Sequence, residues 1–179
     1  ITNWGSDVLS FDKMTQNDLR EILRCIDEYI KDELNVRKVM LITLNNLNAD
    51  QTKCKDFIEN KYPDMFIIEI FNHVTNVNLS IGEIFDKHIH SSKPIIIICR
   101  GKGTQGTTFK PTKLEEALEA DVPLIGLTHV MVVLSKRDHN EHIIQYTLRA
   151  NGWYPIDYPY QVKMFINEHD FKKLNENLE

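Results

Sequence analysis

The chain has 179 residues, enough for one globular domain with a sizeable buried core. Its net charge of −5 argues against nucleic acid as a partner, since phosphate binding normally requires a basic surface. No apolar run approaches the roughly 18 residues of a membrane-spanning helix, so we expect no contact with a membrane.

The number and spacing of the cysteines limit the kinds of site that the chain can contain. Cys25, Cys54 and Cys99 are an odd number of thiols, and none has the paired spacing of a zinc site. We therefore expect no metal and no other cofactor. A reducing compartment such as the cytoplasm is the simplest location for such a protein.

Strand and helix patterns alternate along the chain. Thr15 is a predicted N-cap, and apolar residues recur at helical spacing after it. The predicted helices cover residues 16–30, 50–61, 79–90 and about 140–149. The predicted strands cover residues 39–44, 66–71, 93–99, about 123–134 and 160–166. Strands separated by helices predict an α/β fold with a mainly parallel sheet.

The stretch PIIIICRGKG, residues 94–103, contains the most informative cysteine. Its four consecutive isoleucines predict a strand that is buried on both faces. Cys99 follows them, just before Arg100 and Gly101. Because α/β proteins expose reactive groups where a strand meets a glycine loop, Cys99 is a candidate nucleophile.

Residues Cys99-Arg100-Gly101 resemble the nucleophile motif of the caspases, Q-A-C-[RQG]-G. The preceding SIGEIFDKHIHSSKPIIII, the following EADVPLIGLTHVMVVLSKRDHNEHIIQYTL and the initial ITNWGSDVLSFDKMTQNDLREIL resemble flanking parts of that family, in the same order. The resemblance implies a caspase-like sandwich, with a central, mainly parallel sheet of about six strands and helices on both faces. It divides one domain into a large-subunit-like part (1–103), an inter-subunit-like linker (104–118) and a small-subunit-like part (119–179).

The resemblance also implies that the catalytic machinery is incomplete. Asn46 replaces the catalytic histidine of the family, and Leu47 replaces the glycine that helps to bind the oxyanion. Asn46 precedes Cys99 by 53 positions (99 − 46), close to the spacing of about 50 in the family. Asparagine forms hydrogen bonds but does not act as a general base near neutral pH.

The implied substrate pocket is altered as well. Ile97 takes the position of a pocket glutamine and has no side-chain hydrogen-bond donor. Arg137 matches one of the arginines that bind the substrate carboxylate, whereas Lys136 replaces an aromatic residue of the neighbouring subsite.

Other histidines are rival candidates for the base that would activate Cys99. His73 is only 26 positions upstream (99 − 73), too near for the family's spacing, and His88 and His90 fall on the preceding helix. His129 lies within an apolar strand, which is typical of a hydrogen-bonded core histidine.

The sequence therefore predicts a non-catalytic caspase homologue that binds an active caspase and changes its activity in apoptosis. The implied interface is the last strand, through which caspases dimerise; a homodimer would use the same residues. These interface residues are Tyr160, Val162, Met164 and Ile166. The alternative is a weakly active cysteine endopeptidase that uses Cys99.

A third hypothesis leaves the caspase family. In it, GKGTQG (residues 101–106) binds a nucleotide or phosphate through its backbone amides. The stretch lacks the order G-x-x-x-x-G-K-[ST], and no helix pattern follows it directly.

Overall fold

A computed structural model describes residues 16–44, 51–71, 80–100, 109–132, 162–165 and 176. Its helices are α1 (Gln16–Lys31), α2 (Gln51–Lys61), α3 (Ile81–Lys87) and α4 (Leu114–Glu119). Its strands are β1 (Val39–Leu44), β2 (Ile67–Phe71), β3 (Ile95–Arg100), β4 (His129–Val132) and β5 (Lys163–Phe165). Both the α/β class and the mainly parallel sheet are confirmed.

The described strands form one sheet of five strands in the order β2-β3-β1-β4-β5, and all neighbours are parallel. About six strands were expected; the described residues contain five. In the centre, Thr43 of β1 pairs with Cys99 of β3 and with Val132 of β4.

Helices cover both faces of the sheet, as expected. Successive side chains of a strand point to opposite faces, so β1 contributes Leu41 to one core and Met40 to the other. We call the face with Leu41 the α3 face, because α3 and α4 pack there. The face with Met40 is the α1 face, where α1 and α2 pack.

The placement of α2, α3 and α4 follows from the strand order. The chain runs in one direction along the sheet from β1 to β2, and in the other from β2 to β3 and from β3 to β4. Parallel crossovers are almost always right-handed, so crossovers in opposite directions place their helices on opposite faces.

Several predicted boundaries differ from the structure. The predicted strand 123–134 is wrong in length, since β4 begins only at His129. The residues before β4 already run beside the start of β1: Arg37 N donates to Leu124 O at 2.8 Å, and Thr128 N donates to Val39 O at 3.0 Å. This apolar segment is therefore buried without belonging to the strand ladder.

Helix α4 was not predicted, and most of it falls within the segment assigned to a linker. The carboxylate of Asp86 on α3 accepts hydrogen bonds from Thr112 N at 2.9 Å and from Lys113 N at 3.1 Å. Ala117 of α4 is buried against the α3 face. The predicted helix 140–149 lies outside the described residues.

Candidate functional site

Cys99 lies inside the sheet rather than at its rim. Strand β3 continues to Arg100, and Cys99 pairs with Thr43 of β1 and with Phe71 of β2. Its side chain belongs to the core of the α3 face and is 0% exposed. A nucleophile must touch its substrate, and this sulfur has no surface at which a substrate could reach it.

Ile97, the predicted pocket residue, is likewise 0% exposed in the same core. It pairs with Leu41 and Glu69 on the neighbouring strands. The structure thus brings Cys99 and Ile97 together on one face, inside the core. Asn46, Leu47, Lys136 and Arg137 lie outside the described residues.

His129 cannot serve as a base for Cys99. The two residues are on strands separated by β1, and His129 contacts Tyr29 and Phe165 in the core of the α1 face. Cys99 belongs to the opposite core. The sheet itself therefore separates the thiol from the imidazole.

The other described histidines have carboxylate partners. His88 Nε2 is 2.8 Å from Glu69 Oε1, and His90 Nε2 is 2.8 Å from Glu116 Oε1. His90 is exposed, with 67% of its side chain accessible. His73 lies outside the described residues.

The predicted interface strand is at one edge of the described sheet. Strand β5 is last in the strand order and pairs with β4 on its inner side. Val162 is buried, Met164 is half-buried and Lys163 is exposed. Tyr160 and Ile166 lie outside the described residues.

A network of polar side chains joins β5 to β4 and to the end of α1, and no local sequence pattern indicates it. His129 Nε2 is 2.7 Å from Asp32 Oδ2, just after α1, and Lys163 Nζ donates to Asp32 Oδ1 at 2.8 Å. The other imidazole nitrogen, Nδ1, is 2.8 Å from Thr128 Oγ1. We call Asp32, His129 and Lys163 the β5 network.

Burial and two hydrogen-bond partners determine the protonation state of His129. Burial lowers the pKa of His129, and the opposing effect of Asp32 is smaller, so the ring is neutral at pH 7. An ionised carboxylate only accepts hydrogen bonds, so Nε2 donates to Asp32 and Nδ1 accepts from the Thr128 hydroxyl. His129 is thus the hydrogen-bonded core histidine that the sequence predicted.

Asp32 remains ionised because its partners outweigh its burial. Burial raises the pKa of Asp32, but the hydrogen bonds from Lys163 and His129 and the charge of Lys163 bring it below its ordinary value. The order Thr128–His129–Asp32 matches a nucleophile, its base and an orienting acid. Thr128 and His129 are both 0% exposed, however, so this arrangement is structural.

A surface depression of about 400 Å³ lies beside the β5 network. Its lining residues are Glu28, Lys31, Asp32, Lys163, Met164 and Phe165. Two acidic and two basic side chains face it, so it has no preference for one sign of charge.

The strand order also defines a position for ligands. The chain leaves β1 toward one edge of the sheet and leaves β4 toward the other, so the order reverses between these neighbours. Open α/β sheets bind ligands outside the carboxyl ends of strands at such a reversal. Gln51 at the start of α2 lies away from this reversal, at the carboxyl ends of β2 and β3, where its Nε2 donates to Phe71 O at 2.8 Å and to Ile98 O at 2.9 Å.

Comparisons with known proteins add no family to these observations. No protein-family model matches the chain, and no curated protein matches it. In the described part of the chain, no three metal-binding side chains cluster, and no helix has the length and apolarity to cross a membrane. The caspase relationship stays a prediction from the sequence.

Proposed function

We propose that this chain is a non-catalytic caspase homologue that binds an active caspase and changes its proteolytic activity. One observation carries the claim that the chain is not catalytic: the side chain of Cys99 is 0% exposed. The residue at the nucleophile position is a core residue, so the chain acts through contact with another protein.

The positions of the described histidines support the same conclusion. The described histidines near the sheet are bound to Asp32 and Glu69, and Asn46 stands where the resemblance requires a histidine. General acid–base catalysis typically contributes about 10²–10⁴ to a rate, and a lost oxyanion donor typically costs about another 10²–10³. Replacement of both groups removes useful peptidase activity.

The position of β5 at the edge of the described sheet supports the claim that the chain binds another protein. Lys163 N donates to Thr128 O of the inner neighbour at 3.0 Å. Backbone groups alternate along a strand, so those of Met164 point to the outer side of β5. Such outward groups are the ones that pair with a strand of another chain.

The partner follows from the resemblance, because caspases dimerise through their last strand. Pairing with β5 would either order the active-site loops of the partner or occupy the surface on which it dimerises. The first effect raises the partner's activity and the second lowers it.

A pair of variants at Met164 tests this mechanism. Met164→Pro removes the N–H that points outward. It does not remove the backbone groups of Lys163, which form the hydrogen bonds with β4. Met164→Ala removes the side chain and keeps that N–H. With a panel of purified active caspases, we expect the proline variant to bind at least about tenfold more weakly than the alanine variant. No binding by the unsubstituted chain would contradict the proposal.

The alternative of an active endopeptidase makes a different prediction. An electrophile that carries an aspartyl group would then label the native chain at neutral pH, and Cys99→Ala would abolish the labelling. We expect no such labelling, since the sulfur is enclosed by the core.

A second candidate function is the binding of a nucleotide or another phosphate compound. The reversal of strand order between β1 and β4 favours it, because ligands bind at that position in open α/β sheets. The stretch GKGTQG follows β3 in the sequence and lies outside the described residues.

Equilibrium dialysis with labelled ATP and GTP, with and without Mg²⁺, tests this candidate. Saturable binding at micromolar concentrations that competing pyrophosphate removes would support it. No binding up to millimolar concentrations would exclude it.

A further inference from the structure

Strand β5 shields His129 from water. The ring of Phe165 stacks on the imidazole with a centroid distance of 6.1 Å and an interplanar angle of 9°. The ring of Tyr29 meets the imidazole edge-on, at 4.8 Å and 84°. His129 is 0% exposed between these aromatic rings, one of which is supplied by β5.

The same strand also completes the hydrogen bonding around the imidazole. Asp32 accepts from His129 at 2.7 Å and from Lys163 at 2.8 Å. One carboxylate therefore connects the end of α1, strand β4 and strand β5. These side-chain contacts add to the backbone pairing that joins β5 to β4.

An added proton on His129 would be poorly accommodated while β5 is in place. Among the described residues, Asp32 is the one anion bonded to the ring, and it already pairs with Lys163. The cations Lys38 and Lys163 both disfavour a second positive charge there. The hydroxyl of Tyr29 lies within hydrogen-bonding distance of two backbone carbonyl oxygens, so it offers the ring no acceptor.

We propose that the β5 network is a pH-dependent latch, which holds β5 on the sheet while His129 is neutral and releases it when His129 gains a proton. Release exposes the imidazole to water and separates Lys163 from Asp32. The Thr128 hydroxyl is also 3.0 Å from Val39 O, so it turns to that oxygen when Nδ1 carries a proton.

The direction of the pH effect follows from linkage. In the docked state burial lowers the pKa of His129, whereas a released, hydrated His129 has an ordinary pKa of about 6.5. The released state therefore binds a proton more strongly than the docked state, and acidification below about pH 6.5 favours release. One proton corresponds to at most about a tenfold change in the equilibrium per pH unit, a limit that is reached only well below the pKa of the released imidazole.

Asp32 acts in the same direction but in a more acidic range. Its pKa is below the ordinary value in the docked state, so its contribution is present above about pH 4 and is lost only as the pH falls further. Measurements between about pH 6.5 and 5.5 therefore separate the effect of His129 from that of Asp32.

The latch also regulates the proposed interface, a consequence that rests on the proposed function. Because β5 is the strand offered to the partner, acidification would reduce partner binding. The test below uses the chain alone, so its outcome does not depend on whether a caspase binds.

Hydrogen exchange of backbone amides in β5, compared with those in β1, measures release directly. Rates are taken at pH 7.5, 6.5 and 5.5 and corrected for the intrinsic pH dependence of exchange. The variant His129→Gln removes the titrating group, and His90→Gln changes an exposed histidine as a matched control. We expect the protection of β5 relative to β1 to fall by up to about fivefold between pH 6.5 and 5.5 in the unsubstituted chain and in His90→Gln. It should stay constant in His129→Gln.

Constant relative protection in the unsubstituted chain, or an equal fall in His129→Gln, would overturn the latch. If His129→Gln does not fold, NMR titration of His129 in the unsubstituted chain decides the question. We expect the pKa of His129 to be below its ordinary value while the β5 amides are protected. An imidazole that is protonated at its ordinary pH under a protected β5 would disprove the proposal.

Discussion

Cys99 and His129 lie on opposite faces of the sheet, on strands that β1 separates. Caspase chemistry requires a thiol and an imidazole in hydrogen-bonding contact. In this fold the thiol and the imidazole are instead buried in two different cores. Both therefore stabilise the domain, and the interface proposed above is at the strand edge next to His129.

Chemical modification should show that the thiols are inaccessible. Cys25, Cys54 and Cys99 are each 0% exposed. We expect Ellman's reagent to leave the native chain unmodified on the timescale on which exposed thiols react, and to titrate all three thiols in urea. Rapid modification of one native thiol that Cys99→Ala abolishes, and Cys54→Ala does not, would show a reactive nucleophile.

Removal of Asp32 should destabilise the domain. Asp32→Ala leaves the buried Nε2–H of His129 without its acceptor and Lys163 without its ion pair. A buried donor that loses its partner costs about 1–3 kcal/mol in the free energy of unfolding. Urea unfolding measures the loss, with Glu33→Ala, an exposed acid next to it, as the control. Equal stability of the two variants would mean that the β5 network contributes nothing.

Gln51 should stabilise the carboxyl edge of the sheet. Its side chain is 7% exposed and bonds the carbonyl oxygens of Phe71 and Ile98 on two neighbouring strands. Gln51→Leu removes both hydrogen bonds, and we expect a loss of about 1–2 kcal/mol in the free energy of unfolding. Thr52→Ala, at the exposed next position of α2, should change it by less than about 0.5 kcal/mol. A loss in Gln51→Leu no larger than in this control would refute the assignment.

Asp86 should protect the start of α4 from proteolysis. Its carboxylate holds the N–H groups of Thr112 and Lys113, and Gly82 of the same helix permits the close approach, since a Cβ there would lie 2.7 Å from Thr112 Cγ2. Loss of a hydrogen bond to a charged or polar side chain costs about 1 kcal/mol, so Asp86→Ala should raise the rate of tryptic cleavage after Lys113 several-fold. Asp56→Ala, an exposed acid on α2, is the control. Unchanged cleavage in Asp86→Ala would indicate that this segment is held by other contacts.

Much of the fold follows from local sequence patterns. The apolar run that forms β1 is buried throughout, and the isoleucines of β3 are 0% exposed, as expected of central parallel strands. Helix α1 follows from its apolar spacing. Helix α4 gives no such signal, because its sequence LEEALE is short and acidic and its position depends on Asp86.

Long-range contacts could not be derived in this way. An imidazole in an apolar strand indicates a buried partner, but Asp32 is 97 positions away in the sequence. Their contact depends on which strand borders β1, and local patterns do not determine strand order. The same order places His129 away from Cys99, so it also decides which histidines are excluded as bases.

The proteolytic rate of a purified active caspase, titrated with this chain, tests the central claim most directly. We predict a saturable change in the hydrolysis of a peptide substrate by the caspase, retained by Cys99→Ala and Met164→Ala and lost in Met164→Pro. A caspase rate that is unchanged at every concentration, with no complex detected, would contradict the account. Peptide hydrolysis by this chain alone that Cys99→Ala eliminates would contradict it equally.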